Sequence, residues 1–132
     1  MDPGRLRRIR QRCLWRVALL LALASSGIRA QEITLVVQSS ALAGFRYHEA
    51  TEVWDELRVG DRLELARERD NPHDTNAVSV SWRGRKLGYV PRHQNAALAW
   101  GLDRGAALAA RISRLAPDAS PSRRLEFEVH AE

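Results

Sequence analysis

Short segments in which apolar and polar residues alternate recur along the chain from residue 31 onwards. In residues 78–82 and again in residues 125–129, every second residue is apolar. Related patterns occupy residues 33–37, 63–65 and 108–112, and turn signals such as Gly60-Asp61 and Arg83-Gly84-Arg85 separate the segments. Because alternate side chains of a strand face opposite sides, this pattern predicts several short strands that each bury one face.

A different period occurs once, in residues 95–104, where apolar residues follow a helical spacing. Asn95 is available as the N-cap of this helix, and Gly105 is placed to end it. A second, short helix is expected around residues 52–57. The apolar residues of the longer helix are Ala97, Leu98, Trp100, Gly101 and Leu102.

Five to six strands with one or two short helices predict a mainly β domain, a small OB-like, partly closed β-barrel. About 100 residues leave few helices to cover sheet edges, and closing the sheet solves that problem. We expect the interior to contain Leu63, Leu65, Val78, Val80, Ile112 and Phe127.

Residues 1–30 have the composition of a signal peptide rather than of a folded domain. Six arginines precede the apolar run of residues 17–24, and Ala30 offers a small residue at a cleavage site. Eight apolar residues reach only about 12 Å as a helix, too short for a stable membrane span. The alternative is an amphipathic or disordered basic tail.

This division predicts a leader (1–30) and one domain (31–132), exported to the periplasm or secreted after cleavage. The domain would instead be cytoplasmic if the start of the chain is mis-assigned.

The charge of the chain is concentrated in the leader. The full chain has a net charge of +5, but residues 1–30 hold seven arginines and one acidic residue, which leaves residues 31–132 near −1. Any nucleic-acid site in the domain must therefore be a local patch. The single cysteine, Cys13, lies in the leader, so the domain offers no disulfide and no thiolate ligand. We expect no metal and no cofactor.

Three blocks are more specific than the periodicity: residues 43–47 (Ala-Gly-Phe-Arg-Tyr), residues 60–80 and residues 88–91 (Gly-Tyr-Val-Pro). The middle block contains Glu68-x-Asp-Asn-Pro-x-Asp-x-Asn-Ala-Val78. Their order and spacing resemble the HIRAN domain, which is found in certain Swi/Snf-type helicases and as a stand-alone bacterial protein.

The resemblance implies an OB-like barrel that captures the free 3′ end of single-stranded DNA. Arg46 would meet a phosphate and Tyr47 would stack on a base. Asn71 and Asp74 would read the terminal sugar and its 3′-hydroxyl. Two further residues would lie at the same groove, namely His73 and Tyr89.

Each of these residues also has a purely structural interpretation. Arg46 and Asp74 could pair with neighbours, and Asn71-Pro72 is also a common way to build a rigid turn. Tyr47 and Tyr89 could be core aromatics with exposed hydroxyls. Both interpretations stay open at the level of sequence.

The chain lacks a Gly-Lys-Ser/Thr phosphate loop and a Gly-x-Ser-x-Gly elbow, and it contains neither the helicase nor the zinc-binding RING domain of the larger family members. We therefore expect a non-catalytic module that binds single-stranded DNA or other nucleic-acid ends. The alternative is an exported protein-interaction or envelope module, with a protein partner, that keeps the barrel without DNA binding.

Overall fold

The computed structural model describes residues 35–132. Six strands and two α-helices form the domain, together with four short 3-10 turns. The strands are β1 (Val36–Ala41), β2 (Arg62–Arg67), β3 (Val78–Trp82), β4 (Arg85–Tyr89), β5 (Leu108–Leu115) and β6 (Leu125–Ala131). The helices are α1 (Ala50–Val53) and α2 (Ala96–Asp103).

The strands form one antiparallel sheet in the order β1-β6-β5-β2-β3-β4. No ladder joins the edge strands β1 and β4, so the sheet is not closed. A single bridge links them: Ala43, just after β1, exchanges two 2.9 Å backbone hydrogen bonds with Tyr89. The mainly β architecture predicted from the sequence is confirmed.

The core is formed by side chains of this sheet and of the short helices. Five of the six residues predicted for the interior are fully buried, and the sixth, Leu65, is only partly buried against the core. Ala50 and Val53 of α1 and the following Leu57 are also buried. The short helix predicted at residues 52–57 thus exists, although it begins earlier and continues as a 3-10 turn to Glu56.

The prediction for β1 is wrong in its detail. The strand includes the polar segment 38–40, and Leu35 and Val37 are exposed. A bulge between Val36 and Gln38 in the pairing with β6 shifts the alternation, so that Ser40 is the buried residue instead. Ile33 lies outside the described residues, as does the predicted leader 1–30.

Helix α2 lies where the sequence predicts it. Gly105 has a left-handed φ of 81°, and its N–H donates to the Leu102 carbonyl at 3.0 Å, which ends the helix. Leu98 and Ala99 are buried, but Trp100 is 61% exposed. Among residues 35–132, no helix has the length and apolar character needed to cross a membrane.

Candidate nucleic-acid interface

The first motif block forms a tight turn that presents two side chains to solvent. Gly44 has a φ of 76°, which favours glycine, and a 3-10 turn follows it. Phe45 is buried and packs edge-on against Trp54, with ring centroids 5.4 Å apart. This anchor leaves Arg46 and Tyr47 on the outside, and Tyr47 is 84% exposed. The core-aromatic interpretation of Tyr47 is therefore wrong.

The third block lies directly against the first. A Cβ atom at Gly88 would lie 2.2 Å from the carbonyl oxygen of Ala43, so only glycine allows the backbone approach that forms the Ala43–Tyr89 bridge. The His48 ring packs edge-on against the Tyr89 ring at 5.2 Å. Segments more than 40 residues apart in the sequence are thereby held side by side.

Tyr89 connects these two blocks to the middle one. Its hydroxyl donates to Oε1 of Glu68 at 2.8 Å and accepts from Nζ of Lys86 at 3.0 Å. Lys86 also forms a 2.5 Å ion pair with Glu68, and Nδ2 of Asn71 lies 3.4 Å from Oε1 of the same carboxylate. Glu68 is therefore the centre of a polar network that joins the middle block to the third, and the backbone bridge from Tyr89 to Ala43 holds the first block beside it.

This network shifts three pKa values. Burial alone would raise the pKa of Glu68, but hydrogen bonds from Lys86, Tyr89 and Asn71 outweigh it, and the pKa lies below its ordinary value. Hydrogen bonds to Glu68 and Tyr89 raise the pKa of Lys86. Burial and the nearby Lys86 charge lower the pKa of His48, which favours its neutral form.

The Asn-Pro-x-Asp loop is held by its own side chains. Oδ1 of Asn71 accepts hydrogen bonds from the N–H groups of His73 (2.9 Å) and Asp74 (3.2 Å). Oδ1 of Asp74 accepts from the N–H of Asn76 at 2.9 Å, and Oδ2 accepts from Nδ2 of Asn95 at 2.7 Å. The turn-forming interpretation of Asn71 and Asp74 therefore holds, whatever else these side chains bind.

Asn95 has a different role from the one its sequence position suggests. It immediately precedes α2, but its side chain makes no cap hydrogen bond and instead reaches Asp74 while 98% of the residue is buried. This buried amide fixes the carboxylate of the loop to the start of α2. No local sequence signal distinguishes this use from an ordinary N-cap.

A shallow cavity of about 560 Å³ lies between the middle block and Tyr89. Its polar lining includes two acidic and two basic residues, and both arginines, Arg67 and Arg69, bind Asp103 of α2 at 2.9 Å. The hydrogen bond from Arg67 is the main cause that lowers the pKa of Asp103. The full lining is Arg67, Glu68, Arg69, Asp70, Asn71, Pro72 and Tyr89.

The structure brings Asn71 and Tyr89 together in this cavity. The other predicted site residues lie outside its lining: Arg46 and Tyr47 in the 3-10 turn that follows Gly44, and His73 and Asp74 in the loop that follows Pro72. Sequence reasoning assigned no site role to His48, Glu68 or Asn95, and it placed Lys86 among the hairpin cations that could follow a nucleic-acid backbone. In the structure these four residues contact the predicted site residues or each other. Within residues 35–132, no group of three or more histidine, cysteine, aspartate or glutamate side chains is placed to hold a metal ion.

Comparisons with known proteins identify the fold and the family of this chain. A crystal structure of a protein from Lactobacillus plantarum superposes with a TM-score of 0.65 and 29% identity, covering 75% of this chain and 95% of that one. The HIRAN domain of human HLTF superposes with a TM-score of 0.54 and 18% identity, covering 70% and 73%. A search of curated proteins returned no match. The family model of the HIRAN domain matches residues 35–132, and the chain therefore belongs to the HIRAN family.

Proposed function

We propose that this HIRAN domain is a non-catalytic nucleic-acid-binding module that captures the free 3′ end of single-stranded DNA. The observation that carries the proposal is the meeting of three motif blocks around Tyr89 and Glu68, in a domain of this family. Residues that serve only local turns would not need to converge from separate parts of the chain.

The side chains at this place suit the chemistry of a strand end. Tyr47 offers an exposed ring for a base, and base–aromatic stacking contributes about 1–3 kcal/mol per base. Arg46 is exposed beside it and suits a phosphate. Asp74 is 21% exposed along its side chain and pairs with Arg92, whose Nε lies 3.8 Å from Oδ2. Its Oδ1 accepts one hydrogen bond and keeps a lone pair for a hydroxyl donor.

The charge around the cavity limits how the strand is held. Glu68 and Asp70 repel phosphates, and Asp103 and Glu68 already pair with three of the nearby cations. A strand bound here would engage few phosphates and depend on stacking and hydrogen bonds at its terminus. Recognition of an end rather than of a long backbone follows from this balance.

The proposal is tested by comparing duplexes that carry a 3′ overhang, a 5′ overhang or a blunt end, all labelled at the same internal position. The 3′ overhang should bind at least tenfold more tightly than the other two in a fluorescence anisotropy titration. Equal affinity for all three would remove the 3′-end function. It would favour the protein-interaction alternative, which the near-neutral charge of residues 31–132 supports.

We also propose that residues 1–30 are an export leader, which the arginines ahead of the apolar run 17–24 support. N-terminal sequencing of the protein from the periplasmic or secreted fraction of its host should begin near Gln31. Recovery of only the full-length chain, confined to the cytoplasm, would contradict the leader.

A further inference from the structure

Helix α2 exposes a large aromatic side chain that the core does not use. Leu98 and Ala99 hold the helix against the sheet, whereas Trp100 is 61% exposed. The guanidinium carbon of Arg104, one turn further on, lies 3.7 Å from the centroid of the Trp100 ring. The two side chains therefore form a stacked cation–π pair that is already assembled at the surface.

This pair lies on the same helix as Asp103, which binds two arginines of the cavity described above. Arg69 lines the cavity, and its Nη2 binds Oδ1 of Asp103 at 2.9 Å. Asp103 lies three residues after Trp100, on the same side of α2, since residues three and four apart are neighbours on a helix. The surface passes from the cavity through Arg69 and Asp103 to the indole ring.

The charges along this path favour a polyanion. Asp103 is the acidic partner of both Arg67 and Arg69, so this group of three carries a net charge of +1. Arg104 adds one positive charge and Asp70, next to Arg69, removes one, so the path stays positive. Positive charge beside an exposed aromatic ring is the combination that binds single-stranded nucleic acid without sequence preference.

We propose that Trp100, Arg104 and Arg69 form a second contact for single-stranded nucleic acid, here named the helix platform, which takes a base and a phosphate upstream of the captured 3′ end. The inference rests on the proposed function and extends its site along the strand. A protein partner fits this face less well, because Trp100 is flanked on the outer side of α2 by Ala96, Ala97 and charged groups. These neighbours include no bulky apolar side chain of the kind that excludes water around a hot spot in a protein–protein interface.

The experiment uses the full chain and oligothymidylates of two, four, six and ten nucleotides with free 3′ hydroxyls, titrated at one salt concentration. Trp100→Ala should bind the dinucleotide as wild type does, but should bind the ten-nucleotide strand about five- to 150-fold more weakly. Trp100→Phe should recover most of this loss. Arg104→Ala should lower the slope of log affinity against log salt by about 0.7 for the ten-nucleotide strand alone.

Val59→Ala and Arg62→Gln are matched controls, because both residues are exposed, and Arg62, at the start of β2, lies about 17 Å along the strand from Arg67 of the cavity lining. Both should bind all lengths as wild type does. If wild type gains affinity with length but Trp100→Ala gains it equally, the platform is overturned and end capture stands. If wild type binds none of the oligonucleotides, both proposals fail and the exposed face belongs to another class of partner.

Discussion

In the proposed function, Asp74 serves the fold and the ligand site together. Both of its oxygens accept hydrogen bonds from within the domain, one from the backbone of Asn76 and one from the buried amide of Asn95. Such bonds fix the direction of the carboxylate before any ligand arrives. A preorganised acceptor loses less entropy on binding than a free side chain does.

Replacing Asn95 by alanine should therefore affect both stability and binding. The variant removes a buried donor from Asp74, and we expect a loss of about 1–2 kcal/mol in the free energy of unfolding. Asn76→Ala is the control, because its bond to Asp74 comes from the backbone N–H and survives the change. That variant should stay within about 0.5 kcal/mol of wild type in urea denaturation. Equal effects of the two changes would contradict the buried role of Asn95.

Arg46 and Tyr47 should be separable by salt, although they are neighbours in the chain. Arg46→Ala should weaken binding of single-stranded DNA and reduce the salt slope by about 0.7, because it removes one phosphate contact. Tyr47→Ala should weaken the binding free energy by about 1–3 kcal/mol and leave the salt slope unchanged, since stacking releases no counterion. Tyr47→Phe should keep most of the affinity. A change of slope in the Tyr47 variants would show that the ring does not act by stacking.

At the scale of elements, the sequence predicts a strand or helix well where the local pattern and the core agree. Val78, Val80 and Phe127 alternate in strands that have neighbours on both sides, and their burial is as expected. The alternation fails in β1, which lies at an edge and carries a bulge, because one extra residue reverses which side chains face the core. Strand order depends on pairing between distant segments and is not contained in a local period.

The same limit applies to the site. The motif residues could be named from the sequence because each lies in a recognisable block. Their partners could not, because Tyr89 reaches Glu68, and Asn95 reaches Asp74, across 21 residues in each case. Only the folded sheet brings those side chains within hydrogen-bond distance.

The bridge between the edge strands gives a prediction about two glycines. Gly88→Ala places a Cβ against the backbone oxygen of Ala43, so the bridge must open. We expect the free energy of unfolding to fall by more than about 2 kcal/mol and DNA binding to weaken. Gly101→Ala in helix α2 is the matched change, because the added Cβ meets no atom closer than 3.7 Å. The free energy of unfolding of this second variant should increase by about 0.5–1 kcal/mol. Thermal unfolding measures the stability of both glycine variants, and equal melting temperatures would contradict this prediction.

For the whole molecule, the network around Glu68 sets a dependence of stability on pH. The lowered pKa of Glu68 gives stability that is present above its ordinary value of 4.5 and is lost as the pH falls through its folded pKa. The raised pKa of Lys86 gives stability present below 10.5, which is lost as the pH rises through its folded pKa. The lowered pKa of His48 means that the unfolded chain takes up its proton first, so stability also falls as the pH drops below 6.5.

We therefore expect the free energy of unfolding to decrease from pH 7 to pH 5, because His48 takes up a proton more readily in the unfolded chain, whereas the contribution of Glu68 is lost only below pH 4.5. His48→Gln should flatten the part of this decrease that begins near pH 6.5. Urea denaturation at pH 5, 6 and 7 measures the free energy of unfolding of each protein. A profile that His48→Gln leaves unchanged would show that His48 does not contribute.

The central claim, that the domain recognises the hydroxyl of a 3′ end, is tested most directly by titrating the protein with one oligonucleotide in two forms. One form ends in a 3′-hydroxyl and the other in a 3′-phosphate. A phosphate replaces a donor with negative charge facing Asp74, so blocking the end should weaken binding about five- to hundredfold. The basic segment 1–30 would attract the extra phosphate, so it cannot produce this loss. Equal or tighter binding of the phosphorylated strand would contradict the account.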